Sequence, residues 1–189
     1  MLDVLVIGGG ISGGSAAIYT SQGGLETAVI DSGKSQIKQV SKLFNYPGIK
    51  EITGPELLDN IKDQAIDGGT EWLEGSVETV TRTDHGYSVK LTDGSERLTK
   101  YLVIATNLQT SLLESLGFEL AVNEKVPSGK IKKVLGIEHD GTTKLPNLYI
   151  TSLLAGLSSQ SVIAAGHGAS IGISIVSKET GKSYMWHDK

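Results

Sequence analysis

Val4-Leu5-Val6-Ile7-Gly8-Gly9-Gly10-Ile11-Ser12-Gly13 is an apolar strand that runs directly into Gly8-x-Gly10-x-x-Gly13. Each glycine has its own task in such a loop. Gly8 makes the tight turn off the strand, Gly10 lets a pyrophosphate approach the backbone, and Gly13 lets the new helix lie close to the sheet. Free N–H groups and the positive end of the dipole then meet the phosphates at the helix N-terminus. Helical character follows over Gly13 to Gln22, with Ala16, Ala17 and Ile18, and Gly23-Gly24 ends it. Thr27 to Ile30 reads as a second strand with Asp31 at its tip. A β-α-β unit of about thirty residues is thus complete, the size of a mononucleotide-binding unit.

Asp31 lies 18 residues after Gly13, near the spacing at which an acid accepts hydrogen bonds from the adenosine ribose hydroxyls. A carboxylate there repels a 2′-phosphate, so the pattern fits FAD or NAD better than NADP. A second reading competes. Gly10-Ile11-Ser12-Gly13-Gly14 also satisfies G-x-S-x-G, the nucleophile elbow of α/β-hydrolases. An elbow needs an acid and a histidine converging on the serine, and none of His85, His139, His167 and His187 is compellingly placed. The elbow also leaves Gly8 without a purpose.

The 189 residues suit a single domain over 1–189. A net charge of -4 with no block of like charge argues against nucleic acid. There is no cysteine, which excludes disulfides, thiolate metal ligands and thiol redox chemistry by these residues. No metal-ligand spacing occurs either. With no basic segment ahead of the first strand there is no sign of a signal peptide, and a cytoplasmic location is expected. Leu145 to Ser177 carries no Asp, Glu, Lys or Arg. Pro146, Asn147, Gln160 and His167 interrupt it, so a buried strand, a loop and a buried helix are expected rather than a membrane span.

Ser32 to Lys50 reads as a polar connector ending in the turn Asn45-Tyr46-Pro47-Gly48. Leu57, Leu58, Ile61, Ala65 and Ile66 recur at helical spacing over Pro55 to Gly68, with Thr53 or Gly54 as cap. Thr70 to Leu73 is a short strand. The period then changes to two: Val77, Thr79, Thr81, then Tyr87, Val89, Leu91, with turns at Asp84-His85-Gly86 and Asp93-Gly94. That predicts an antiparallel meander over about 75–98. Buried strands at Tyr101 to Ala105 and Leu148 to Thr151, and a closing helix over Val162 to Ser177, complete an α/β Rossmann-type fold. It is a three-layer arrangement, a parallel sheet with an inserted antiparallel β-meander.

Ala16-Ala17-Ile18-Tyr19, Phe44-Asn45-Tyr46-Pro47-Gly48, Thr53-Gly54-Pro55-Glu56-Leu57-Leu58, Val103-Ile104-Ala105-Thr106 and Asn147-Leu148-Tyr149-Ile150 follow the glycine loop in this order. Their succession resembles the FAD domain of the thioredoxin reductase-like flavoproteins, within the pyridine-nucleotide-disulfide oxidoreductase-like group, over nearly the whole chain. The resemblance shifts the choice of dinucleotide to FAD and implies contacts. Gly8, Gly10, Ser12 and Gly13, with Gly9 and Ile11 in the same loop, would hold the pyrophosphate. Asp31, followed by Ser32, would hold the adenosine ribose, and the Val77 backbone would meet the adenine. Asn45 would lie beside the flavin and Ala105-Thr106 near the cofactor. Gln160 and Ser161 would stand at the N-terminus of the closing helix, whose dipole favours charge on a reduced flavin. A homodimer is also implied, with Ile171, Ile173 and Ile175 as apolar contacts that core packing explains equally well.

The departures from the pattern are specific. About forty residues separate Thr106 from Tyr149, too few for the family's inserted nicotinamide domain, and no second GxGxxG occurs. The redox Cys-x-x-Cys is absent. Ala-Thr-Gly reads Ala105-Thr106-Asn107, a mild change because Asn tolerates the left-handed region. The Gly-Asp expected after Thr151 reads Ser152-Leu153, which removes a charged acceptor for the ribityl chain at a cost of about 1.5–3 kcal/mol. The function expected is an FAD-binding oxidoreductase that exchanges electrons with a diffusing reductant or a separate donor or acceptor protein. The alternatives are a non-catalytic FAD or nucleotide module, such as a sensor or regulatory subunit, and an interaction protein on a decayed scaffold. No catalytic side chain is named. His167 is expected to pack or to contact a second subunit, Lys34 and Lys38 to be solvated rather than on the cofactor, and Trp72 and Tyr46 to be core or turn residues.

Overall fold

β1 (Leu2–Ile7) lies at the centre of the main sheet of the computed structural model, which describes residues 1–187. Its side chains alternate between two cores, as a strand buried on both faces requires. Val4 and Val6 point to one core, and Leu5 and Ile7 to the other. β2 (Thr27–Asp31) pairs parallel to β1, and β3 (Glu71–Glu74) pairs parallel to β2. On the other side of β1 lies β6 (Glu96–Ile104), followed by β9 (Leu148–Ile150), both parallel.

β6 departs from the sequence reading. A meander strand ending near residue 98 and a new strand from Tyr101 were expected, yet one strand of nine residues runs through both. Its first half pairs antiparallel with β5 (Gly86–Leu91), which pairs with β4 (Val77–Thr83). No turn-forming residue interrupts Glu96 to Ile104, and fully buried Thr99 ties the two halves by donating to Tyr101 O at 2.8 Å. The phase of β4 also differs. A register shift between Val77 and Thr79 leaves Thr79 and Thr81 exposed and turns Val80 into the core. Tyr87, Val89 and Leu91 are buried as expected.

Three helices cover one face of the sheet: α1 (Ile11–Gln22), α2 (Gly54–Asp67) and α4 (Ser161–Thr180). Thr53 caps α2, its Oγ1 accepting the Glu56 N–H at 3.2 Å. α1 and α4 meet backbone to backbone. A Cβ on Gly168 would lie 2.0 Å from Ser12 O, and one on Gly172 2.8 Å from Ala16 O. These pairs, each spaced four residues, fix how far α4 can slide along α1. The other face carries the meander and the segment 105–147, which forms α3 (Ser111–Ser115) and a ribbon of β7 (Leu120–Val122) and β8 (Lys132–Val134). Leu112, Leu113, Phe118 and Val134 from that segment fill the second core.

The uncharged stretch from Leu145 resolves as expected into β9, a 3-10 turn over Ser152–Ala155, and α4. No described helix is long and apolar enough to cross a membrane. Ile171 and Ile175 are fully buried, while Ile173 is exposed; core packing accounts for two of the three. The connector after Asp31 holds a 3-10 turn over Gln36–Gln39, and a Leu43–Ile52 bridge buries both residues.

Candidate functional site

The carboxyl ends of β1, β2 and β6 open onto one hollow, where ligands bind in sheets of this kind. Gly8 turns the chain there with φ +110°, and a Cβ would stand 2.6 Å from Ala105 O. A Cβ on Gly13 would lie 1.9 Å from Gly8 O, so only glycine lets α1 start this close to the strand. Gly10 precedes the helix in extended conformation with no side-chain cap. The first helical hydrogen bond runs from Gly14 N–H to Gly10 C=O at 2.8 Å. The N–H groups of Ile11, Ser12 and Gly13 therefore have no acceptor in the helix.

In front of this turn lies a cavity of about 300 Å³. Gly8, Gly9, Gly10, Asp31, Ser32, Val77, Ala105 and Thr106 all line it, so eight of the expected site residues share one hollow. Asp31 ends β2 and accepts the Gly33 N–H at 2.9 Å on one carboxylate oxygen. The Gly75 N–H donates to Asp31 O at 3.0 Å, which brings the start of the meander, and Val77 with it, beside Asp31.

A second cavity of about 110 Å³ continues past Gly10 toward α4. Ile11, Ser12, Ala105, Gln160 and Ser161 line it. Gly13 lies behind the loop as packing. Asn45 lines neither hollow, but its Nδ2 donates to Gln160 Oε1 at 2.7 Å, which joins the connector to the start of α4. The hydrolase elbow has no support. Ser12 is buried, and His167 is turned to Thr151 and Ser152 instead.

Several lining residues went unread. Ser35 and Gln36 border both cavities, and the chain at Asn107, Leu108 and Gln109 closes the larger one. The 3-10 turn that presents Ser35 and Gln36 has no periodic signal. Its one clue is Gly54, whose Cβ would collide with Ile37 O at 1.7 Å. Lys34 lines the large cavity, whereas Lys38 faces a hollow behind Asp31 beside half-buried Trp72. Among the described residues no cluster could hold a metal ion.

Both altered motifs keep the backbone of the pattern. Asn107 sits at φ 53° and Ser152 at φ 62°, two of the three non-glycine residues with positive φ among the described residues. That is the conformation a glycine would supply at each place. Leu153 is buried and lines the second cavity, so an apolar side chain stands where an acceptor was expected. His167 is buried too. Its Nδ1 accepts the Ser152 N–H at 3.1 Å and lies 3.1 Å from Thr151 Oγ1. Burial pushes its pKa below 6.5, with the His139 backbone and Asp140 acting in the opposite direction.

A dinucleotide with a flavin fits most of this arrangement. Free helix N–H groups and a loop without Cβ atoms suit the pyrophosphate, Asp31 suits the ribose, and the two cavities share Gly10 and Ala105. The ribityl side fits less well, because Leu153 offers no acceptor.

The FAD binding domain family matches residues 3–41. Over 126 residues the chain is 32% identical to the alkyl hydroperoxide reductase F protein of Staphylococcus aureus, covering 66% of this chain and 25% of that protein. Over 120 residues it is 33% identical to a thioredoxin reductase of Listeria monocytogenes, covering 62% of this chain and 37% of that protein. The chain thus spans about a quarter to just over a third of these curated relatives. A solved thioredoxin reductase from Gloeobacter violaceus superposes with a TM-score of 0.78 over 100% of this chain and 98% of that one, at 17% identity, which is a likeness of fold. The loop, the cavity and these relatives together make the chain similar to the FAD domain of the thioredoxin reductase-like flavoproteins, with FAD as the cofactor they indicate.

Proposed function

We propose that this chain is a flavin-dependent oxidoreductase module that takes or gives its electrons through a separate protein or a diffusing reductant. One observation carries the reading: two neighbouring hollows that share Gly10 and Ala105, on a chain with no cysteine and no second dinucleotide loop between Thr106 and Tyr149. When bound, FAD supplies the redox chemistry itself. The residues around it bind and orient. The uncapped start of α1 meets the pyrophosphate with the N–H groups of Ile11, Ser12 and Gly13. Asp31 accepts from the ribose hydroxyls, and the Val77 backbone borders the adenine. Ala105 lines both cavities and Thr106 the first. The Asn45–Gln160 hydrogen bond fixes the mouth of the second, and the N-terminus of α4 at Ser161 turns its positive end toward charge there.

A second reading has an observation of its own. Leu153 in place of an acceptor, together with the missing thiol pair, favours a non-catalytic FAD module, a sensor or regulatory subunit. The absence of cysteine suits a reducing cytoplasm. Exposed Ile163 and Ile173 on α4 suit a homodimer contact.

Absorbance and anaerobic titration separate these readings. The oxidoreductase reading expects a yellow protein whose flavin is reduced by NADH, NADPH or dithionite and reoxidised by an acceptor. Bound flavin that none of these reduces leaves the non-catalytic module. Colourless protein that takes up no FAD sinks both.

A further inference from the structure

The locked contact between α1 and α4 has a second effect. Gly168 against Ser12 leaves no freedom in where α4 lies, and the residue before Gly168 is His167, in the second turn of α4. Its imidazole is thereby held over the turn that follows β9. Ser152 there adopts φ 62°, a left-handed conformation that is strained for an L residue. Its N–H donates to His167 Nδ1 at 3.1 Å, and its C=O accepts from Leu157 N–H at 3.2 Å and from the Gly156 N–H. The next residue, Leu153, is the wall of the second cavity.

We propose that His167 is a positioning residue for the flavin side of the site, holding the Ser152–Leu153 turn through the Ser152 N–H, a task only the neutral imidazole performs. The inference rests on the FAD reading above. Because Nδ1 accepts, the ring proton sits on Nε2, which is buried. A second proton must go to Nδ1 and turns that acceptor into a donor facing another donor.

The direction of the pH effect follows. Burial favours the neutral ring, Asp140 and the backbone of His139 on the preceding loop oppose it only in part, and α1 carries no charged residue. The folded pKa therefore lies below the free value. The Ser152 bond is intact above about pH 6.5 and is lost as pH falls through the lowered pKa.

The test uses the full chain, its His167→Asn and His167→Leu variants, and two probes, FAD and ADP. Asn carries an acceptor at the position of Nδ1 and does not titrate. The wild type should hold FAD progressively more weakly as pH falls below 6.5 through the lowered pKa, by up to about tenfold, the worth of one buried hydrogen bond. His167→Asn should bind FAD close to wild type at the higher pH and lose that dependence. His167→Leu should be about tenfold weaker at both. ADP, which occupies only the adenosine end, should bind all three alike. Equal FAD affinity in His167→Leu, an unchanged pH profile in His167→Asn, or a matching loss of ADP by His167→Leu overturns the positioning role and leaves the FAD reading standing. A wild type that binds ADP but no FAD at either pH overturns both.

Discussion

The two ends of the cofactor hollow are built from different material. At the end proposed for the pyrophosphate and ribose the determinants are backbone: turns, free N–H groups, and places where a Cβ would strike a carbonyl, with Asp31 as the acidic side chain that lines it. At the end proposed for the flavin they are side chains and long-range contacts. Asn45 reaches Gln160 across 115 residues, His167 holds Ser152, and Leu153 forms a wall. A backbone device tolerates no substitution and so leaves a signature in sequence. A side-chain device can lack a member and still keep its shape, as at Ser152, which holds a positive φ beside Leu153.

The largest effect should come from breaking the first end. Gly13→Ala sets a methyl 1.9 Å from Gly8 O, with the Val6 side chain at 3.1 Å and Ala105 Cβ at 3.2 Å. The contact is to backbone, so either the loop or the start of α1 must move. A stability loss of about 3 kcal/mol is expected in a denaturant melt, with loss of both ADP and FAD binding. A Gly13→Ala variant that melts like wild type and binds ADP would show that the loop is less tightly held than its geometry implies.

Legibility follows the same division. β1, α1, β2 and Asp31 could be read to within two residues, because the glycine spacing has one geometric solution. α2 could be read from its apolar period and its Thr53 cap. β6 could not, since period alone gives no sign that a meander strand and a central parallel strand are one segment; burial of Thr99, a polar residue, hides the join. The phase of β4 was missed because a one-residue bulge after Val77 inverts every later side chain without changing the pattern itself. Ser35 and Gln36 are at the site only because Gly54 admits the Ile37 carbonyl, a contact between segments that no local rule describes. The positive φ of Asn107 and Ser152 was the recoverable part of the flavin end, since both stand where glycine was expected.

Asp31→Asn probes the acidic side chain of the first end. Its amide keeps the shape but loses a charged acceptor of ribose hydroxyls, a change of about 1.5–3 kcal/mol. FAD and ADP should both weaken, roughly tenfold to a hundredfold, because both carry the ribose. Isothermal titration with each ligand checks this. An effect on FAD alone would move Asp31 out of the adenosine end and erase the distinction between the two.

The smallest effect is the most informative, because it adds a group to the flavin end. Leu153→Asp restores a carboxylate on the wall of the second cavity, next to Gly10, Ser12 and Gln160. Leu153 is buried, so without cofactor the carboxylate has lost water and gained no partner, and the apo-protein should melt lower than wild type. With FAD bound it finds ribityl hydroxyls to accept from, and affinity should rise about tenfold. ADP carries no ribityl chain and should bind as before. The pairing of a less stable apo-protein with a tighter FAD complex cannot come from a general change in packing, which would move both in one direction. Unchanged FAD affinity would mean that the ribityl chain does not pass Leu153. The second cavity would then hold some other part of the cofactor, and the turn at Ser152 would be a relic of shape alone.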